Sequence, residues 1–219
     1  MEETMMKRIN KTMDNLRAHN MAAYFVETKD EVPELLKSLM NEGETVTHGG
    51  SETLKECGVI DLLNSGAYRY LDRSKAQTRE ETEEIYRAAF TADTYLASAN
   101  AVTESGLLYN VDGNSNRVAA ILYGPKQVIF ICGYNKLVKD LDEAVVRLKT
   151  IAAPRNTKRL SCETYCAKEG ECLALGRDAS YMCDGCKSPQ RICCNYVISA
   201  RQRQKDRMKV ILVGEELGY

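Results

Sequence analysis

The first part of the chain alternates between amphipathic segments and short apolar runs, and this alternation limits the folds it can adopt. Apolar side chains recur at helical spacing in residues 5–20, whereas the unbroken apolar run at 22–26 fits a buried strand. The succession then repeats, with helices expected at 30–40, 51–64 and 78–90 and brief strands at 45–47 and 68–71. Strands that alternate with helices build parallel sheets covered by helices on both faces. The sequence therefore predicts an α/β fold with a mainly parallel sheet.

The rest of the chain contains shorter apolar runs and one strongly periodic segment. Leucine and valine side chains share one helical face in residues 137–151, which predicts a helix that ends at Pro154. The Gly124-Pro125 pair marks a turn between two of the expected strands. In chain order, these further strands are expected at 94–98, 101–103, 107–111, 118–123, 127–132 and 208–213. At 219 residues, the chain suits one domain spanning 1–219.

A cluster of cysteines in residues 160–195 forms a Cys-rich insert within this domain. Residues 1–20 lack the apolar run of a signal peptide, so we expect a cytoplasmic protein, in which thiols bind metals more often than they form disulfides. The spacing predicts a zinc ion or an iron–sulfur cluster, with reduced structural thiols as the alternative. The predicted ligands are Cys166, Cys172, Cys183, Cys186 and Cys193. Of these, Cys183 is expected to substitute for one of the other four.

Charge and hydropathy exclude two classes of partner. The formal net charge is −1 and the isoelectric point is about 6.2, so no basic field favours nucleic acid. No apolar run approaches the ~20 residues that a membrane-spanning helix needs. We therefore expect neither a nucleic-acid partner nor a membrane.

The loop that follows the strand expected at 45–47 is the first candidate site. Gly49, Gly50 and Ser51 lie where a parallel strand ends and a helix begins, which is where open α/β sheets bind ligands. Glycine lets the backbone approach a phosphate or a carboxylate closely. His48 could act there as a general acid or base, although a histidine in such a position is more often a hydrogen-bonded structural group.

Two polar segments farther along the chain are also candidate sites. Thr103, Glu104, Ser105 and Gly106 follow an expected strand, and the carboxylate of Glu104 could serve as a nucleophile or a base. The alternative is a hairpin turn with an exposed acid. Residues 112–117 form a second polar loop, in which Asn116 and Arg117 could bind an anion. The alternative there is a solvated hairpin tip.

Several of these segments together resemble a known family. The LUD (lactate utilization) domain family, which includes LutC-type proteins, is similar to this chain from about Ile9 to Gly218. The resemblance is carried by Val46–Gly58, Asn100–Gly106, Asn110–Ala120, Tyr123–Lys126 and Lys209–Gly218. It implies a fold similar to the group of sugar-phosphate isomerases and CoA transferases (NagB/RpiA-like), whose Gly-rich loop holds phosphate or CoA-like ligands.

The resemblance also implies a functional context. LutC-type proteins act beside iron–sulfur electron-transfer proteins in lactate oxidation. We therefore expect this protein to assist oxidation of a small 2-hydroxy acid, binding a small anionic ligand (a hydroxy acid, a phosphate or a CoA-like molecule) and a metal centre. Two alternatives remain open from the sequence: a ligand-binding or assembly module with a structural metal and no turnover, and a CoA or acyl transferase that uses Glu104.

Overall fold

A six-stranded parallel sheet forms the centre of the fold in a computed structural model of the chain, which describes residues 3–175 and 182–219. All five pairings between neighbouring strands are parallel. In spatial order the strands are β1 (Ala22–Val26), β10 (Met208–Val213), β7 (Gln127–Gly133), β4 (Thr94–Ala97), β2 (Thr45–His48) and β3 (Arg69–Tyr70). This sheet confirms the fold class predicted from the alternation of strands and helices.

Helices pack on both faces of the sheet, and two apolar cores result. One core packs Ile9 and Leu16 against Phe130 of β7, and the other packs Leu36 and Leu54 against Ile129 and its neighbours. Alternate residues of β7 enter opposite cores because side chains alternate across a strand. The helices are α1 (Glu3–Ala18), α2 (Val32–Leu39), α3 (Glu52–Glu56), α4 (Val59–Leu63), α5 (Arg79–Ala88), α6 (Asn116–Leu122), α7 (Leu141–Arg147), α8 (Ala153–Arg159) and α9 (Tyr165–Glu169).

A smaller mixed sheet lies beside the carboxyl ends of the main strands. Its third apolar core contains Tyr109, Val111 and Leu148, and it packs against α7 and α8. β5 pairs antiparallel with β6 and parallel with β8, and β6 pairs antiparallel with β9. In spatial order the strands are β8 (Leu137–Val138), β5 (Ala101–Thr103), β6 (Leu108–Asp112) and β9 (Asn195–Ser199).

Three expectations about local structure are wrong. Residues 118–122 belong to helix α6, and Tyr123 is its C-cap. The Asp112 carboxylate accepts hydrogen bonds from the backbone N–H groups of Arg117 and Val118 at the start of that helix. Residues 137–138 form strand β8, and the following helix begins only after its N-cap, Asp140. Pro154 does not end this helix. A π-helical turn, Leu148–Ala152, leads directly into α8, and the proline lies in the first turn of α8.

The Cys-rich insert expected at 160–195 contains α9 and the irregular segment before β9. Residues 176–181 of this insert lie outside the described part of the chain. Within the ranges 3–175 and 182–219, no helix is both long enough and apolar enough to cross a membrane.

Candidate functional site

A cleft of about 490 Å³ opens at the carboxyl ends of neighbouring strands of the main sheet. Its walls are the loop after β2, the residues after β4 and the turn after β7, and the loop between β6 and α6 closes it from the smaller sheet. Such a volume is typical of small-molecule sites, and the carboxyl ends of parallel strands are where such sites form in α/β sheets. The fold therefore forms a ligand cleft at the position expected from the sequence.

Cationic side chains dominate the polar lining of this cleft. Two carboxylates also line it, those of Glu52 and Asp112, and each is already engaged by protein groups. The excess of positive charge favours an anionic ligand. The cationic lining residues are Arg73, Arg117, Lys136, Arg159 and Arg191.

Gly50 and Ser51 line the cleft, and Gly49 lies next to them. A Cβ atom on Gly50 would lie 2.6 Å from Nη2 of Arg73 and 3.9 Å from Nη2 of Arg159. The backbone of this loop therefore lies against two guanidinium groups. Ser51 is the N-cap of α3 and accepts a hydrogen bond from the N–H of Leu54 at 3.4 Å.

Arg117 brings two of the predicted segments together. Its side-chain stem packs on the Gly49 backbone, where an added Cβ would lie 2.8 Å from Cδ. Its guanidinium donates to the backbone oxygens of Ser98 and Val111 and to the side-chain oxygens of two asparagines, Asn100 and Asn110. Four of its five N–H donors are thus used within the protein. Arg117 contributes positive charge to the cleft and holds neighbouring residues of its wall in place. Most of its donors are not available to a ligand.

Lys136 is the most deeply buried cation of the cleft, with 2% of the residue exposed. Its Nζ lies 2.8 Å from Thr53 Oγ1 and 2.9 Å from Ser98 Oγ. No carboxylate in the described ranges lies within ion-pair distance of this nitrogen. Burial lowers the pKa of Lys136 to about 8.

His48 lies behind the glycine loop and is not part of the cleft lining. Its Nδ1 is 2.6 Å from the carbonyl oxygen of Gly49 and its Nε2 is 2.7 Å from the Tyr70 hydroxyl, with the two rings stacked. A carbonyl can only accept, so Nδ1 carries the proton that is donated to Gly49. Burial lowers the pKa of His48, which favours the neutral form of the ring. With both nitrogens engaged, His48 holds the loop.

The structure does not place Glu104, the candidate nucleophile or base, in the lining of the cleft. Its carboxylate pairs with Arg8 Nε at 2.7 Å and Lys11 Nζ at 3.1 Å, both on α1. Burial alone would raise the pKa of Glu104, but these two cations hold it below its usual value. A nucleophile in the cleft cannot come from this position, so the geometry gives the transferase alternative no support.

The neighbours of Glu104 join the same contact between α1 and the turn from β5 to β6. The hydroxyls of Thr103 and Ser105 lie 2.9 Å apart, and Thr103 Oγ1 accepts from the N–H of Leu107. Gly106 has a φ of +81°, and an added Cβ would lie 2.7 Å from the Asn15 carbonyl carbon. Thr103 and Ser105 therefore stabilise the turn itself, and Gly106 lets the turn approach α1. Asn116, in contrast, lines the cleft.

Four of the five predicted metal ligands line one small cavity of about 20 Å³: Cys166, Cys172, Cys186 and Cys193. Cys183 is exposed and does not line it. All of these thiols are free. Across residues 3–175 and 182–219, no three His, Cys, Asp or Glu side chains are close enough together to hold a metal ion. The four thiols thus share a cavity without forming a coordination sphere.

The cavity adjoins the cleft and shares a wall with it. Cys193 lines both, as do Leu148 and Ala153. Arg191, which also lines the cleft, donates to the backbone oxygens of Cys183, Cys186 and Cys193. One guanidinium therefore links the cysteine segment to the cationic wall of the cleft.

Sequence reasoning missed most of the cationic lining, including Arg73, Lys136, Arg159 and Arg191. Lys136 had a usable signal, because it closely follows the apolar strand β7, whose carboxyl end faces the cleft. Arg73 likewise follows β3. Arg159 comes from helix α8 and Arg191 from the irregular segment before β9. Their approach to the cleft depends on tertiary packing.

Comparison with known proteins identifies the family of this chain. A family model described as LUD domain matches residues 9–213. The chain belongs to the LUD domain family. This family is associated with lactate utilization. No curated protein matches the chain.

Solved structures support the fold of this LUD domain. A DUF162 family protein from Deinococcus radiodurans matches at 14% identity with a TM-score of 0.53, over 95% of this chain and 98% of that one. Matches to eIF2B beta and eIF2B delta from Chaetomium thermophilum have TM-scores of 0.37, at 16% and 14% identity. They cover 52% and 54% of this chain, and 44% and 50% of theirs. Similarity at this level carries no argument about function.

Proposed function

We propose that this protein binds a small anionic ligand in the cleft and assists the oxidation of a small 2-hydroxy acid. One observation carries the proposal: the cleft contains the buried cation Lys136 with no carboxylate at ion-pair distance. A buried charge without a counter-ion is costly, and a bound anion offsets that cost. The association of the family with lactate utilization makes a hydroxy acid the first ligand to test.

Arg73 offers the sharpest test of anion binding. Its guanidinium lies against Gly50, and its one hydrogen bond to a group in residues 3–175 and 182–219 is a long one to the Tyr86 hydroxyl, at 3.4 Å. Its other donors are therefore available to a ligand. Arg73→Ala should weaken binding of lactate, phosphate or an acyl-CoA by about 1.5–3 kcal/mol, the range for hydrogen bonds to charged groups. Isothermal titration calorimetry on each ligand measures this.

Lys75 provides the matched control, because it lies in the same 3₁₀ turn but pairs with Asp72 outside the cleft. Lys75→Ala should leave the affinity unchanged. Equal losses of affinity in Arg73→Ala and Lys75→Ala would show that the ligand responds only to the overall positive charge of the surface. Failure of every anion in the panel to bind the wild-type protein would contradict the proposal.

The four cysteines that line the small cavity support a second proposal, that they hold one metal ion. Four thiolates are a common ligand set for zinc, and a cavity of about 20 Å³ is the size of a single ion rather than of an iron–sulfur cluster. A structural ion there would join α9 to the segment before β9. It would have no part in the chemistry of the cleft.

Elemental analysis of protein purified without oxygen tests the metal proposal. We expect about one equivalent of zinc, a colourless protein, and loss of the metal in Cys166→Ser and Cys172→Ser. Cys162→Ser is the control, because Cys162 lies in the same segment but not in the cavity. A brown protein would favour an iron–sulfur cluster instead. Less than about a tenth of an equivalent of zinc and iron together would exclude both.

A further inference from the structure

The side-chain nitrogen of Lys136 is buried and fixed in position, and it uses only two of its three hydrogen-bond donors. Nζ donates to Thr53 Oγ1 and Ser98 Oγ, and its third position meets no hydrogen-bonding group in the described part of the chain. The residue lines the cleft although only 2% of it is exposed. A nitrogen fixed by two hydroxyls at the wall of a ligand site is well placed to react with a bound molecule.

Burial favours the neutral amine of Lys136. Nearby charges act in both directions, because Cys132 and Glu56 favour the ammonium form whereas Arg147 and Arg117 oppose it. Together these effects lower the pKa of Lys136 from 10.5 to about 8. At neutral pH, roughly three hundred times more of this amine is unprotonated than at an ordinary lysine. Desolvation beside other cations is a known way to activate a lysine as a nucleophile.

We propose that Lys136 forms an imine with the carbonyl group of a small 2-oxo acid bound in the cleft. Such an acid supplies a carboxylate for the cationic lining and an electrophilic carbon for the amine. The nitrogen lone pair attacks the carbonyl carbon, the carbonyl oxygen takes up the two protons that the amine loses, and this oxygen leaves as water while the C=N bond forms. The step involves no net oxidation or reduction. It rests on the proposed anion cleft and adds covalent chemistry to it.

Reductive trapping tests this directly. The full-length protein is incubated with pyruvate or glyoxylate and sodium cyanoborohydride, which donates hydride to the imine and leaves a stable secondary amine. Peptide mapping by mass spectrometry should place the carboxyalkyl group at Lys136, at a rate at least about tenfold above that of exposed lysines such as Lys75. The labelling rate should rise with pH and level off above about 8.

Two controls keep this inference separate from the proposed function. Lys136→Arg removes the nucleophilic amine, so labelling at residue 136 should vanish, while calorimetry on the wild-type protein measures pyruvate binding separately. Acetone, which lacks the carboxylate, should label Lys136 much more slowly than pyruvate. Pyruvate binding without an adduct at Lys136 would overturn the imine and leave the anion cleft standing. Equal labelling of Lys136 and exposed lysines in the wild-type protein would also overturn it, whether or not the variant folds.

Discussion

Gly49 and Gly50 are adjacent, but an added side chain would meet different surroundings at each. At Gly49 it would meet the stem of Arg117, which four hydrogen bonds hold in place. At Gly50 it would meet the end of the Arg73 side chain, which is free to move. A side chain at Gly49 should therefore affect stability, whereas one at Gly50 should affect the proposed ligand binding.

We predict that Gly49→Ala lowers the free energy of unfolding by about 1–3 kcal/mol, the usual cost of overpacking. Gly50→Ala should change it by less than about 0.5 kcal/mol, since the loop is exposed there. The same Gly50→Ala change should weaken anion binding, because it displaces the Arg73 guanidinium. Urea unfolding and calorimetry on both variants measure these effects. A larger stability loss for Gly50→Ala than for Gly49→Ala would contradict the assignment.

His48 gives stability a dependence on pH. Because its folded-state pKa is lowered from 6.5, the unfolded chain binds more protons as the pH falls below that value. The contribution of His48 is therefore fully present above pH 6.5 and is lost as the pH falls toward the folded-state pKa. We predict that the free energy of unfolding of wild type decreases from pH 7 to pH 5 more steeply than that of His48→Gln. His19→Gln is the control, and an equal slope in wild type and His48→Gln would refute the prediction.

At the scale of elements, α1 depends on its contact with the turn between β5 and β6. Glu104 pairs with two cations of this helix, and Gly106 lets the helix backbone approach the turn. Asn15 adds a hydrogen bond from its side chain to the backbone oxygen of Glu104 at 2.7 Å. The segment that resembled a catalytic motif thus anchors a helix.

We predict that Glu104→Gln lowers the free energy of unfolding by about 1 kcal/mol through loss of these partly exposed ion pairs. Anion affinity should not change. Glu3→Gln, which removes an exposed pair with Lys7, should have almost no effect on stability. A loss of ligand binding in Glu104→Gln with stability unchanged would instead restore a role for Glu104 in the cleft.

Some short apolar runs predicted their elements correctly and others did not. Strands β1 and β10 have the bounds expected from the sequence, because their runs are rich in β-branched and aromatic residues. The apolar pattern of residues 118–122 fits a strand and a buried helix equally well. The helix is favoured by the Asp112 carboxylate, which lies outside this segment. Strand β8 is similarly defined by its partner β5 rather than by its own two residues.

At the scale of the whole molecule, the cysteine cavity and the cleft have part of their walls in common. Cys193 lines both, and Arg191 ties the cysteine segment to the cleft wall. A metal ion that fixed the four cysteines would also fix this wall. Coupling between two sites is reciprocal, so an ordered wall should favour the anion and the anion should favour the metal.

We predict that removing the metal with a chelator weakens anion binding about fivefold, a modest coupling free energy of about 1 kcal/mol. Calorimetry on metal-loaded and chelated protein measures this. The chelator should have the same effect on Cys194→Ser, since Cys194 is exposed and lies outside the cavity. Identical affinities with and without metal would show that the two sites are independent.

The glycine loop in the sequence predicted the position of the cleft, and the spacing of the cysteines predicted that they lie together. The sequence did not reveal most of the cationic side chains that line the cleft. Gly50, Ser51, Asn116 and Arg117 were found because turn-forming residues between regular elements are visible locally. Arg159 and Arg191 were missed because their approach to the cleft depends on how α8 and the cysteine segment pack. Such long-range approach leaves no pattern in neighbouring residues.

The position of β10 has a consequence for synthesis on the ribosome. This strand lies between β1 and β7, and Ala22 of β1 pairs with Lys209 of β10. The main sheet therefore cannot close until the segment at 208–213 has left the exit tunnel. Until then β1 has no neighbouring strand, and its unpaired edge remains open to other chains. A growing chain of this protein must accordingly be synthesised through residue 213 before β1 gains its partner strand.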